Sequence, residues 1–363
     1  MLTQLVTIIL FQIAPLPVVL SYNSTKVDRL YALFMIGFLG SLSALRANTV
    51  GNDTAFFLYL YDSIANNHNI LSYLDRFEIG YLVLNRIATY ICHNSQFILV
   101  LTSFMIYSGY FRFIIKYSKS PWLSIFFFVT LGFWGDSMNT IREQIATVIL
   151  LFSYDFIRDR KFIPFIFLTI LASLFHRTAI IFLVAYPFIN VRTSTKNIVL
   201  FISAGLFIAA FFKRLFSKLV FFFPIFSYYA NSKYLNGQIR LASILTMLIY
   251  LLILILSMSA KGSLVGDRYR DFKNMQSMLL ICIALLTASF GFSLLDRVAS
   301  YFGSFSLVLL PNAIVSYDEK KETRLAVTYL ICLLCFCYEL VREIMRPGWI
   351  GIFPYSFFWQ TYS

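Results

Sequence analysis

Apolar runs recur along the whole chain, at about 3–20, 30–46, 96–115, 121–135, 141–157, 162–175, 178–190, 197–212, 241–259, 275–292, 298–317 and 325–341. A helix rises about 1.5 Å per residue and the hydrocarbon of a bilayer is about 30 Å thick, so a run of roughly 20 apolar residues crosses it. A dozen runs near that length leave little else for the chain to be. Only 13% of its residues are charged against 59% hydrophobic, too few to cover a water-soluble surface. Soluble enzymes, nucleic-acid-binding domains, secreted disulfide scaffolds and disordered chains are excluded together. The sequence predicts an all-α, polytopic transmembrane bundle of about 12 spans (11–14), folded as one integral membrane domain over 1–363.

Charge sets the expected orientation. The net charge of +13 reads as an excess of Lys and Arg in cytoplasmic loops, not as a nucleic-acid surface. The segments Arg158–Lys161, 260–274 and 318–324 are short and basic and are expected inside the cell. Residues 47–95 and 213–240 then form extracytoplasmic loops. Residues 1–20 lack a basic leader and a small-residue cleavage site and read as a retained span. Within 79–94, Asn85 and Arg86 are costly at mid-membrane. The region around 54–94 is therefore expected as a half-buried or interfacial helical segment. Cys332, Cys335 and Cys337 fall in one apolar run and read as small hydrophobes, not as metal ligands.

This orientation places many arginines outside, among them Arg46, Arg142, Arg177, Arg240 and Arg297. That is against the usual bias. A guanidinium binds phosphate through a planar fork, so an arginine-rich outer face points to an anionic head group. Polar clusters sit at the ends of spans: Arg46 to Asp53, Phe77 to Tyr81, Met138 to Ala146, Leu174 to Ala179 and Leu295 to Phe302. Asp53 and Glu78 read equally as chemical groups or as structural partners of Arg46 and Arg76.

The order of these clusters resembles the EpsG/Wzy-type polysaccharide polymerases, membrane enzymes that lengthen O-antigen, capsule and exopolysaccharide chains. The resemblance rests on Arg46 with Gly51 and Asp53, Glu78 with Gly80 and Tyr81, and Asn139 with Arg142. Phe175 with His176, and Arg297 with Tyr301 and Phe302, complete it. It covers roughly residues 40–312. Glu143 after Arg142 and Arg177 after His176 depart from the family pattern.

The resemblance implies a metal- and cofactor-independent glycosyltransferase in the bacterial cytoplasmic membrane, its active site facing the periplasm or cell exterior. Donor and acceptor are oligosaccharides linked to undecaprenyl pyrophosphate, and a chain-length-regulating co-polymerase is an expected partner. Arg142 and Arg297 are expected to clamp the pyrophosphate, with Arg46 and Arg177 in support. His176 or Glu78 is the base, and Asp53 orients a sugar hydroxyl or holds an Arg. Asn139, Tyr81 and Tyr301 are expected at the sugars. An O-antigen ligase fits less well, because the longest late loop, 213–240, is short for one. A polyprenyl-phosphate-sugar transferase would show an acidic pair in 47–78, and none occurs there. A flippase would show repeated halves.

Overall fold

In the computed structural model, which describes residues 25–67, 69–222, 240–260, 265–317, 320–345 and 347–360, the apolar runs are helices. No strand occurs among the described residues, only one isolated antiparallel bridge between Arg46 and Phe357. The expected span over 1–20, and residues 223–239 of the loop expected at 213–240, lie outside the described residues.

The count of about twelve spans is not confirmed. Among the described residues, five helices are long and apolar enough to cross a membrane: α1 (Thr25–Ala44), α4 (Gln96–Tyr117), α10 (Thr195–Phe222), α11 (Leu241–Ser259) and α15 (Lys321–Met345). A sixth crossing arises if α13 (Leu295–Gly303) and α14 (Ser306–Val315), bent by 42° at their junction, act as one. The expected span at 121–135 is instead two short helices, α5 (Pro121–Thr130) and α6 (Phe133–Asn139). Pro121 suits the first turn of α5, where its missing N–H costs nothing. Gly132, at φ 90°, ends it. All ten residues of α5 are buried. An apolar helix of that length is a core element, not a crossing.

The chain divides into two compact units, Met1–Asp155 with Ile163–Ile180 and Glu319–Ser363, and Phe156–Phe162 with Ile181–Asp318. In the first, α1, α4 and α15 pack around α5. The Asp28 carboxylate of α1 accepts the Trp122 N–H of α5 at 3.0 Å, satisfying an end that α5 cannot cap itself. Two helices of 13 residues, α2 (Thr54–Asn66) and α3 (Ile79–Ile91), lie between α1 and α4 in sequence. Each is about 20 Å long at helical rise, too short to cross alone. On α3, Asn85 is buried and Arg86 donates to the carbonyl of Asn67.

In the second unit α12 (Asp267–Ala288) is central and packs against α10, α11 and α13. A Cβ on Gly205 would lie 2.5 Å from the Ala284 carbonyl, so α10 and α12 meet at backbone distance, as small residues allow in membrane helix pairs. Large side chains such as Leu33 and Phe34 on α1, Phe207 on α10 and Leu333 and Leu334 on α15 stay exposed, the pattern of faces solvated by lipid tails.

Candidate functional site

Three segments of the first unit meet at one end of α4 and of α7 (Ile141–Arg158). The turn before α3 brings Glu78, the first turn of α7 brings Arg142, and the turn after α8 (Phe162–Ser173) brings His176 and Arg177. Gly80 makes the junction possible. Its N–H donates to the Leu174 carbonyl at 2.8 Å, and a Cβ there would sit 2.6 Å from the same oxygen. Only a residue without a side chain lets α3 dock on the turn that carries the histidine.

Glu78 is the centre of this junction. Its Oε2 accepts from Arg142 Nη1, its Oε1 accepts the backbone N–H of Arg177 at 3.3 Å, and Oε1 stands 3.5 Å from His176 Nδ1. Burial raises the carboxyl, but His176 and the Arg142 guanidinium outweigh burial and hold it at about 2. Glu78 is therefore a permanent anion at neutral pH. His176 Nδ1 is enclosed without a well-aligned hydrogen bond, so Glu78 is the group placed to orient it. The cations are supported on rings: Arg142 lies 5.0 Å over Phe77, Arg76 lies 4.2 Å over Phe56, and the two rings stack at 5.4 Å. Arg177 Nη2 donates to the Leu74 carbonyl at 2.8 Å. Of these arginines, only Arg142 brings its guanidinium to the Glu78 carboxylate, and Arg177 meets it through its backbone N–H.

The Arg46–Asp53 loop lies beside this junction through Met138 and Asn139, just before α7. Arg46 is 1% exposed. Its Nε donates to Thr54 Oγ1 at 3.0 Å, Nη2 to the Met138 carbonyl at 3.0 Å, and Nη1 to the Ser43 carbonyl. Burial pulls it down to about 10, so it remains a cation. No carboxylate among the described residues lies within ion-pair distance of it. Gly51 turns at φ 86°, a conformation that suits glycine. Asn139 Oδ1 accepts the Asn52 N–H at 2.6 Å and its Nδ2 donates to the Ile350 carbonyl at 2.8 Å.

That last contact belongs to a part of the site the sequence did not announce. The segment following α15 returns along the Arg46 loop. Ala47 N–H donates to the Ser356 carbonyl at 2.9 Å, Phe358 N–H to the Leu45 carbonyl at 2.9 Å, and Gly51 N–H to the Gly351 carbonyl at 2.8 Å. Asn52 Nδ2 donates to the Trp349 carbonyl at 2.6 Å, and the Tyr355 hydroxyl to the Leu42 carbonyl at 2.6 Å.

Of the residues expected from sequence, Glu78, Arg142, His176 and Arg177 are in direct contact, and Arg46 and Asn139 brace the adjoining loop. Asp53 is exposed at the start of α2 and pairs with no arginine among the described residues. Tyr81 is fully enclosed against Phe57 and Phe77. Arg297 and Tyr301 are on α13 in the second unit, Arg297 exposed and Tyr301 buried. Neither Glu78 nor Asp53 serves Arg46 or Arg76.

The opposite end of α4 and α7 has a different character. Asp155 there accepts from Arg112 at 2.6 Å and from Lys116 at 2.7 Å. At the site end, Gln96 of α4 donates to the Ala44 and Arg46 carbonyls at 2.7 and 3.1 Å.

The EpsG family model matches residues 29–357, a range that holds every residue placed above at the junction and most of the returning segment. No curated protein and no solved structure matches the chain.

Proposed function

We propose, for a chain that belongs to the EpsG family of Wzy-type polysaccharide polymerases, a glycosyl transfer at the Glu78–Arg142–His176 junction. The growing glycan leaves undecaprenyl pyrophosphate and joins a sugar hydroxyl of a lipid-linked repeat unit at the outer face of the bacterial cytoplasmic membrane. The observation that carries this reading is the Glu78 carboxylate set between His176 Nδ1 and the Arg142 guanidinium.

A transfer of this kind has two physical demands. The acceptor hydroxyl must lose its proton, and the departing pyrophosphate must have its charge met as the bond to the anomeric carbon breaks. A carboxylate held at about 2 is a weak base near neutrality. Its use is to fix the imidazole ring, leaving Nε2 for the acceptor hydroxyl, as a buried carboxylate does for a catalytic histidine elsewhere. His176 then takes the proton and the acceptor oxygen bonds the donor's anomeric carbon. The carbon–oxygen bond to pyrophosphate breaks, and Arg142 and Arg177 face the leaving oxyanion. Arg46 and Asn139 hold the loop that carries Asp53, which is left exposed to a sugar hydroxyl.

The outer location is supported by the two ends of α4 and α7. Lys116, Lys119, Arg158 and Lys161 gather at or just beyond the end away from the site, and such basic ends favour the cytoplasm.

The test is a deletion strain complemented with Arg142→Lys. Lysine keeps the charge but loses the fork, so polymer should fall about 100-fold or more while membrane levels stay normal, leaving single repeat units on the acceptor. Full-length polymer from Arg142→Lys contradicts the assignment.

A further inference from the structure

The segment that returns along the Arg46 loop has two faces. Ile350, Ile352 and Phe353 are buried, and the two isoleucines press on Gly135 of α6, where an added Cβ would lie 3.1 Å from each. Trp349, Phe358 and Trp359 stay open, at 47%, 44% and 57% exposure. Trp359 stacks on Phe357 at 4.5 Å, Phe358 meets Trp359 edge-on at 5.0 Å, and Tyr355 meets Phe357 edge-on at 5.2 Å. The rings near 355–359 therefore form one block.

The sequence of the segment matches its exposure. Residues 347–360 hold six aromatic side chains, Trp349, Phe353, Tyr355, Phe357, Phe358 and Trp359, and no charged one. In the same unit the 53–76 stretch exposes Asp53, Asp62, Asp75 and Arg76. A surface facing bulk water carries charge of that kind, and a contiguous uncharged aromatic surface marks contact with something less polar.

Two spans fix the level of the segment. Trp349 follows four residues after Met345, where α15 ends, and Val341, Ile344 and Met345 on that last stretch are exposed and apolar. At the other end the Tyr355 hydroxyl donates to the Leu42 carbonyl in the last turn of α1, and the Phe358 N–H to the Leu45 carbonyl just past it. Both helices are of membrane-crossing length, so their ends mark where hydrocarbon gives way to head groups. The open rings continue the lipid-facing surface of α15 at that level. An indole is favoured there, with an apolar body for the chains and an N–H for water.

We propose that 347–360 is an interfacial strap. Trp349, Phe358 and Trp359 enter the head-group region of the bilayer while the backbone of the same segment holds the Arg46 loop, so the membrane surface fastens that loop. The choice of the outer leaflet rests on the polymerase reading above; the embedding does not.

The chain has four tryptophans, of which Trp122 and Trp134 are buried in the protein. The full chain is reconstituted in phosphatidylcholine nanodiscs, and the emission lost on Trp349→Phe and on Trp359→Phe gives the signal of each open indole. Phosphatidylcholine brominated near the head-group end of its acyl chains should remove most of both signals. Lipid brominated near the terminal methyl should remove less, and aqueous iodide little. A nitroxide on Phe358→Cys in a cysteine-free chain gives a second reading that leaves both tryptophans in place. It should collide more with dissolved oxygen than with a water-soluble nickel chelate. Quenching by iodide with none from brominated lipid overturns the proposal and makes the block a water-facing surface, as a sugar-stacking face would be. Quenching by neither overturns it as well, because protein then covers the rings. Both failures leave the polymerase reading intact. That reading falls instead if polymer survives deletion of the chain.

Discussion

At the residue scale, the two buried-end arginines of the first unit do different work. Arg142 pairs with Glu78 beside the imidazole, whereas Arg46 uses its guanidinium on carbonyls and a hydroxyl inside the protein. Replacing Arg46 by Lys strands acceptors that a single ammonium cannot reach, at a cost on the order of 3 kcal/mol. Thermal melting should fall in Arg46→Lys and stay near wild type in Arg142→Lys; equal losses would remove the distinction. Glu78 gives a pH signature. Its folded carboxyl sits near 2, below its ordinary 4.5, so the stability it contributes is fully present above about 4.5 and is lost as pH falls toward 2. The stability gap between wild type and Glu78→Gln should be flat from pH 5 to 7 and shrink below 4. A gap that grows with acidity contradicts the ion pair. The residues of this site were legible because charged and polar side chains are rare in so apolar a chain. Their roles were less so: the sequence leaves Glu78 and His176 equal as bases, and the proposed division, with Glu78 orienting His176, rests on their mutual placement.

At the element scale, the site depends on how short helices meet rather than on any one span. Gly80 is the test position. A methyl group there collides with the Leu174 carbonyl and pushes α3 away from the turn that carries His176. Gly80→Ala should therefore lose most of its polymer while the protein still inserts, and a Glu78 carboxylate no longer held low should titrate at higher pH. Normal polymer from Gly80→Ala would mean that the junction tolerates separation. Sequence patterning found the motif but not this docking, since a glycine before an apolar helix has many uses. It also missed the returning segment at 347–358. Its backbone N–H and carbonyl groups make most of the contacts to the Arg46 loop, and backbone pairing leaves no mark in side-chain spacing. The span at 121–135 failed for a related reason: an apolar run looks the same whether lipid or protein surrounds it.

At the scale of the whole molecule, the proposed transfer requires the Arg46 loop and the His176 turn to face the same side. The structure brings them together at one end of the first unit, with the helix pair at 54–91 too short to carry the chain across alone. In a cysteine-free background, a cysteine at Asn67 should react with an impermeant thiol reagent from outside the cell, and one at Lys161 only after permeabilisation. The reverse pattern would put the junction in the cytoplasm and separate it from externally displayed substrate. The most direct measurement is a single turnover by purified protein in vesicles supplied with lipid-linked repeat unit, following glycan length and released undecaprenyl pyrophosphate together. Wild type should form one glycosidic bond per pyrophosphate carrier released, and His176→Ala should bind the substrate but form neither product. Bond formation by His176→Ala at the wild-type rate would contradict the account.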